Sequence, residues 1–417
     1  MWGVLTGSWA LFLGMLFLMM GNGLQGTLLG VRGAMEGFSA FEMSVVMSGY
    51  FIGFLGGSKV APEMIRRVGH VRVFAALASF VSVVLILYPV LVHPVSWTLG
   101  RIAIGFCFSG VYVAAESWLN NSAENANRGK ALSIYMIVQM AGVVAAQAML
   151  AYGDASGYVL FVISSVLVSI SFAPILLSVA PTPAFDTAKP MSIRELIKAS
   201  PLGCMGMFLL GGVFSAQFGM AAVYGTEAGL TIGQISTFVA SIYIGALLLQ
   251  YPIGWLSDRM DRRFLILGVG IFGALGAATG AFAGGDIGFT LILAAGFITG
   301  GAANPLYSLL IAYTNDYLAS DDMAAASGGL IFINGVGAIS GPMLTGWAMS
   351  WFGPRGFFIY ITFILGVLSL YALYRMTVRS ATSVEDSESY TPVLPTAGPV
   401  AIEVAAVAYS EASSEEE

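Results

Sequence analysis

The sequence predicts an all-α integral membrane protein, with twelve transmembrane helices in two pseudo-symmetric six-helix bundles. Three observations predict it. The 417 residues are 57% hydrophobic and only 10% charged, whereas a soluble domain carries about 25% charged residues. The apolar residues fall into continuous runs long enough to cross a bilayer core, which takes about 20 residues per helix. The two halves of the chain also repeat one another.

The first six runs lie near Ser8–Gly30, Phe41–Lys59, Val73–Leu91, Leu99–Leu119, Ala131–Tyr152 and Tyr158–Ala180. A polar linker, 181–200, interrupts them. Six more follow near Leu202–Tyr224, Ile235–Leu256, Phe264–Ala283, Gly288–Tyr313, Ala324–Met349 and Gly356–Met376. Membrane β-strands would show alternating segments of about 10 residues instead. The 52 glycines suit such helices, because small residues let helix backbones approach closely in lipid. The predicted organisation is therefore an N-terminal bundle at 1–180, a linker at 181–200, a C-terminal bundle at 201–378 and an acidic tail at 379–417. That tail has no basic residue after Ser380 and is expected to be disordered and cytoplasmic. It is read as a solvated tail, with a regulatory or partner-binding role as the sharper alternative. Met1 to Ser8 has no lysine or arginine, so the first run is expected to be a helix rather than a cleaved signal.

Lysine and arginine are concentrated in the loops of one side: Lys59, Arg66, Arg67, Arg72, Arg128, Lys130, Arg194, Arg259, Arg262, Arg263 and Arg375 among them. The other side holds Arg32, Arg355 and Arg101. The excess marks the cytoplasmic side and puts both termini there. Cys107 and Cys204 fall in apolar runs and read as buried small hydrophobes, not a disulfide. His70 and His93 stand alone, without metal-ligand spacing, a nucleotide loop or a nucleophile motif. An enzyme, a cofactor, a metal and a nucleic-acid partner are not expected.

The repeat has a shift of 192 residues, from Val31 to Val223. At that register Gly33, Gly37, Ile52, Gly53 and Arg67 match Gly225, Gly229, Ile244, Gly245 and Arg259, and Gln25 matches Gln217. At a slightly larger shift Gln139 falls opposite Asn334. Parallel six-helix repeats of this kind are known in membrane transporters.

Between the eighth and ninth runs stands Gly254-Trp-Leu-Ser-Asp258-Arg259-Met-Asp261-Arg262-Arg263. It resembles the signature of the major facilitator superfamily, roughly G-x-x-x-D-R-x-G-R-R, with Asp261 in place of the second glycine. The first-half copy is degenerate, with Pro62, Arg66, Arg67, Gly69 and His70 where Gly, Asp, Arg, Gly and Arg are usual. Arg101 and the segment Glu116-Ser-Trp-Leu-Asn120 further resemble the YcaD-like bacterial branch. The resemblance covers about residues 5 to 378. It implies a secondary transporter of a small solute, working as a monomer in the bacterial inner membrane by alternating access. It also implies a midplane cavity lined mostly by helices one, four, seven and ten. Export is slightly favoured and proton coupling is open. The rival is a non-transporting scaffold, assembly factor or sensor on the same fold.

Polar groups inside a bilayer are costly and therefore mark sites. Gln25, Gln139, Gln217 and Asn334 are candidate substrate groups, and each can equally serve to join helices. Asn304-Pro305 interrupts helix ten, as a hinge or as a packing kink. Arg101 can bind an anionic group or stabilise helix one or two. Glu116 can carry a proton, or serve as a structural partner of loop arginines, the preferred reading. These two charges lie 15 residues apart on one helix, about 22 Å, and cannot pair. At the loops, Asp258 can dock on a helix N-terminus. A charge-swapped latch is also expected, with Arg66 or Arg67 facing Asp321 or Asp322. The plainer alternative is that the arginines set topology while Ser320 and the aspartates cap helix eleven.

Overall fold

In the computed structural model of the chain, the described residues are 2–122, 128–177, 191–283, 288–318, 320–378 and 390–398. Among them all regular structure is helical. The first six spans are α1 (Trp2–Met35), α2 (Ala40–Val68), α3 (His70–Leu87), α4 (Pro94–Ser122), α5 (Arg128–Tyr152) and α6 (Val159–Ser171). A short helix, Ala173–Leu177, follows α6, and Ile193–Ala199 forms a linker helix. Then come α7 (Pro201–Glu227), α8 (Ile232–Ser257), α9 (Arg262–Ala281), α10 (Gly288–Asn315), α11 (Ser320–Phe352) and α12 (Gly356–Val378). Among the described residues, eleven apolar helical stretches are long enough to cross a membrane. The last of these, Ala325–Val378, holds both α11 and α12, joined through the 3-10 turn Gly353–Arg355.

Local chemistry explains the ends. Ser39 and Glu42 form a reciprocal capping box at the start of α2, satisfying two backbone donors that the first turn leaves open. Ser192 and Glu195 do the same for the linker helix. Gly69 ends α2 at φ +85°, a conformation that costs other residues dearly. Pro62, Pro252, Pro305 and Pro342 lie inside helices, which membrane helices tolerate when neighbours re-satisfy the freed carbonyls.

Contacts group the chain into two units. The first takes 1–187, 218–240 and 396–401; the second takes 188–217, 241–395 and 402–417. The grouping therefore divides α7 and α8, where the sequence alone suggested one cut in the linker.

In the first unit α2 and α4 pack backbone to backbone. A Cβ on Gly53 would strike the Ile102 carbonyl oxygen, and a Cβ on Gly105 would strike that of Tyr50. Only glycine permits this approach. Ser82 of α3 hydrogen-bonds Ser165 (2.7 Å) and Ser169 (2.8 Å) of α6. The second unit repeats the crossing with α8 and α10: Gly245 abuts the Phe297 carbonyl and Gly300 that of Ile242. Gly53 and Gly245 are a repeat-related pair, so the internal repeat coincides with the tightest helix contacts. Lipid-type side chains such as Phe80, Leu99, Leu275 and Phe363 remain exposed, as expected where the surrounding solvent is apolar.

One segment departs from the sequence expectation. Within the tail, Tyr390–Gly398 does not float in solvent: Val393 and Ala397 are buried, and the backbone is hydrogen-bonded to helices. The cause is local. No charge interrupts 390–402, although acids flank it at Glu388 and Glu403. The rest of the predicted tail lies outside the described residues.

Candidate functional site

The charged centre of the first unit is Arg101 on α4. Its side chain is fully buried. Nη1 donates to Gln25 Oε1 on α1 at 3.3 Å, and Gln25 Nε2 donates in turn to Asn22 Oδ1 at 3.2 Å. The guanidinium carbon lies 4.8 Å from the Tyr50 ring centroid and 5.9 Å from that of Phe218. Tyr50 and Phe218 pack at 5.2 Å, and Tyr50 also meets Phe108 at 6.4 Å. Arg101 Nε and Nη2 have no hydrogen-bond partner among the described residues. A fully buried guanidinium with two open donors, cradled by aromatic faces, is chemically an acceptor-seeking site.

Local sequence explains the placement. Gly49 on α2 lets α4 approach one turn before Arg101, since a Cβ there would lie 2.9 Å from the Thr98 carbonyl oxygen. Asn22 and Gln25 are three residues apart and share one face of α1. The structure brings Gln25 and Arg101 together, as the expectation that Arg101 stabilises helix one or two allowed. Sequence reasoning missed Asn22, although a second polar residue three positions before Gln25 was a visible signal. It also missed Gln147 on α5, whose Nε2 reaches the Gly23 carbonyl at 3.4 Å. Gln139 on α5 is buried.

Glu116, one helix length from Arg101, is buried too. Its two oxygens share the Gly398 N–H at 3.0 and 2.8 Å. A backbone amide of the tail is thus one partner of this carboxylate, which no local pattern could have announced. Nearby, His70 Nε2 meets Ser117 Oγ at 2.7 Å. Arg66 and Arg67 both lean on Glu63 of their own helix, at 2.8 and 2.6 Å.

In the second unit Gln217 is buried, and its Nε2 has no partner among the described residues. Asn304 Nδ2 donates back to the Gly300 carbonyl at 3.3 Å, beside the Pro305 interruption. Asn334 Nδ2 donates to the Met207 carbonyl of α7 at 2.9 Å, joining α11 to α7. Asp322 is exposed; the Asp321 side chain lies outside the described ones.

The signature residues form a compact set. Gly254 is buried against the Tyr390 ring, and Asp258 Oδ1 accepts the Tyr390 N–H at 2.6 Å. Arg259 folds back over the Trp255 ring at 4.3 Å. Arg262 pairs with buried Asp316 of the α10 end and donates to Ser257 Oγ at 3.1 Å. Asp261, the departure from the family pattern, caps α9 by accepting the Arg263 N–H at 2.9 Å. Its carboxylate is also gripped by the Arg263 guanidinium at 3.1 and 2.7 Å. Burial opposes the Asp261 charge, but the Arg263 bonds outweigh it and hold the carboxyl below its usual range.

A family model described as Major Facilitator Superfamily matches residues 11–230 and 202–407. A relative from Escherichia fergusonii, named as an uncharacterized MFS-type transporter YcaD, is 24% identical over 84% of this chain and 90% of its own. A YcaD of Escherichia coli O45:K1 is 27% identical over 84% and 90%. Among solved structures, a nucleoside transporter, NupG, superposes with TM-score 0.70 at 15% identity, covering 89% of this chain and 98% of its own. A bacterial homolog to the human lysosomal transporter Spinster, inward-facing and occupied, gives TM-score 0.72 at 16% identity over 91% and 97%. At these identities the solved structures speak to the fold alone.

Proposed function

Since the chain belongs to the major facilitator superfamily, we propose that it is a secondary active transporter of a small solute by alternating access, and that Arg101 and Gln25 hold an anionic or acceptor-rich group of that solute. The observation that carries this reading is the pair of unpartnered donors, Nε and Nη2, on a fully buried Arg101. A buried charge without full compensation is costly, and in a membrane span such a residue marks a functional site by default. The flanking Tyr50 and Phe218 rings suit a solute with an apolar or planar body.

A thermal-shift panel of the purified protein tests it, because a ligand that binds the folded state raises the melting point. Organic carboxylates and phosphate esters are compared with their neutral amides and alcohols. At least one anion should stabilise the wild type, and Arg101→Gln should abolish that shift. Stabilisation by neutral compounds alone, unaffected by Arg101→Gln, would overturn the assignment. No shift with any compound would favour a non-transporting scaffold.

The remaining elements rest on the same reading. The excess of basic residues in one set of loops supports a bacterial inner-membrane protein with both termini cytoplasmic. Gln217, with its open Nε2, is the stronger candidate for a further solute contact; Gln139, Asn304 and Asn334 are secondary. Export and proton coupling are part of the proposal, with Glu116 as the candidate proton carrier. Proteoliposomes loaded with a pH dye report both when the stabilising anion is added. The latch of Arg66 or Arg67 with Asp321 or Asp322 also stays a proposal. Arg66→Asp should slow uptake and Asp322→Arg should partly restore it.

A further inference from the structure

Resting on the reading of Arg101 as the solute's anchor, we infer that the cargo is a monocarboxylate with a compact apolar body and no cationic group. Its two oxygens take one edge of the Arg101 guanidinium, and its body takes open space beside Gly26. The choice of open donors carries the first half. Nη1 is occupied by Gln25 Oε1. The two left open, Nε and Nη2, are neighbours in the planar group, and their N–H bonds run parallel along one edge. That edge is the fork that takes a carboxylate through both oxygens. A sulfonate or phosphate ester brings a third oxygen. Gln25 Nε2 is already turned to Asn22 Oδ1, so that oxygen would go without a donor, which is costly in a buried site. The edge has no exposed surface in this conformation, so a carboxylate reaches it when a flanking ring turns aside. Phe218, at 5.9 Å, is at the limit of cation–π attraction, and its departure costs the cation little.

Charge leads to the same class. Among the described residues of the first unit, Arg101 is the only buried lysine or arginine. A carboxylate neutralises it one for one. A phosphate ester, at about −1.5 to −2 near neutral pH, would leave excess negative charge buried. An ammonium on the same solute would need an acid beside it, and the buried acid described in this unit is Glu116, about 22 Å along α4. The space for the body is on α1. Gly23 and Gly30 are crowded: a Cβ on either would meet Val143 Cα at 3.0 Å or Ala222 Cβ at 2.7 Å. Gly26, between them, is also buried, yet no described atom lies within 4 Å of a Cβ built on it. It directly follows Gln25 and shares a helix face with Asn22, four residues earlier. In the internal repeat Gly26 stands in register with Phe218, so α1 lacks a ring where α7 carries one.

The test titrates the full chain in detergent by thermal shift with four probes that share one ring: 3-phenylpropanoate, 2-phenylethanesulfonate, 2-phenylethyl phosphate and phenylalanine. The simple carboxylate should bind at least about tenfold more tightly than the other three. Arg101→Lys keeps the charge and removes the fork, so it should weaken 3-phenylpropanoate about tenfold and bring the head groups level. Gly26→Leu should weaken 3-phenylpropanoate at least about tenfold while leaving propanoate, with its small body, unchanged. Gly26→Ala puts its Cβ into open space, so it should melt as wild type does and lower the ratio of phenylpropanoate to propanoate affinity by less. It carries the test should the leucine variant not fold. Sulfonate or phosphate binding as tightly as the carboxylate, and lost in Arg101→Gln, would overturn the carboxylate class and leave Arg101 an anion site. Shifts that survive Arg101→Gln, or no shift with any probe, would overturn both readings. An affinity ratio unchanged in the folded Gly26 variants would overturn the placement of the body.

Discussion

Replacing Arg101 by methionine separates a functional charge from a structural one. The favourable terms are few. A hydrogen bond from a charged donor contributes about 1.5 to 3 kcal/mol, and the one to Gln25 is long, at 3.3 Å, so the low end applies. The Tyr50 face at 4.8 Å adds about 1 to 2 kcal/mol when desolvated, and Phe218 at 5.9 Å is near the limit of that interaction. Against roughly 3 kcal/mol of gain stands an effective desolvation cost of several kcal/mol for a buried ion, with Nε and Nη2 uncompensated. Methionine keeps the stem volume and removes the charge, at the expense of leaving Gln25 Oε1 unpaired, about 1 kcal/mol. Arg101→Met should therefore lie between about 2 kcal/mol more stable and 1 kcal/mol less stable than wild type. It should also lose every anion-induced thermal shift. Unfolding by SDS titration in mixed micelles measures the first, and the ligand panel the second. A loss of more than about 3 kcal/mol, the range for breaking a satisfied buried pair, would refute the reasoning and make Arg101 a structural residue.

The opposite is expected for Arg262, a second buried guanidinium: Asp316→Asn leaves it without its carboxylate and should destabilise by about 3 kcal/mol, read by the same titration. Asp261→Ala removes the α9 cap and the Arg263 partner and should cost about 1 to 2 kcal/mol, whereas Asp261→Gly, the family's residue, should cost less, because glycine is tolerated at that position. Since the Asp261 carboxyl is held below its unfolded range, its contribution is present above the unfolded carboxylate range and fades as pH falls through the folded value. The acid limb of a stability–pH curve should accordingly flatten in Asp261→Asn. Gly105→Leu and Gly300→Leu drive side chains into the facing carbonyls of α2 and α8, and each should sharply reduce the yield of folded protein, measured as the monodisperse fraction on size exclusion.

Membership of a transporter family states a general function, and the site adds chemistry to it. Arg101 and Gln25 lie 76 positions apart and meet across α4 and α1, next to aromatic rings from α2 and α7. That convergence gives a reason to screen anions first. The tail adds a second layer. Its docking on Gly254 and Asp258 assigns these signature residues a partner from the chain's own C-terminal region, so variants at either position are expected to disturb the tail along with anything else they do.

Composition and pattern by themselves determined the helices. Low charge forces apolar surroundings, run length matches a bilayer core, and the register of Gly53 with Gly245 anticipated equivalent crossings in the two halves. Hydropathy is local, and each of these properties is written within about twenty neighbouring residues. The signature from Gly254 to Arg263 was legible for the same reason, as was Asp258 at a helix end. The tertiary structure alone decided which polar groups meet. Nothing near Glu116 announces an amide from Gly398, and nothing near Asn334 announces the Met207 carbonyl. Nor does the acidic tail disclose that Val393 and Ala397 within it are buried. A hydrogen bond between distant positions depends on where two backbones are carried by packing, and that packing is set by glycine contacts spread over the whole fold.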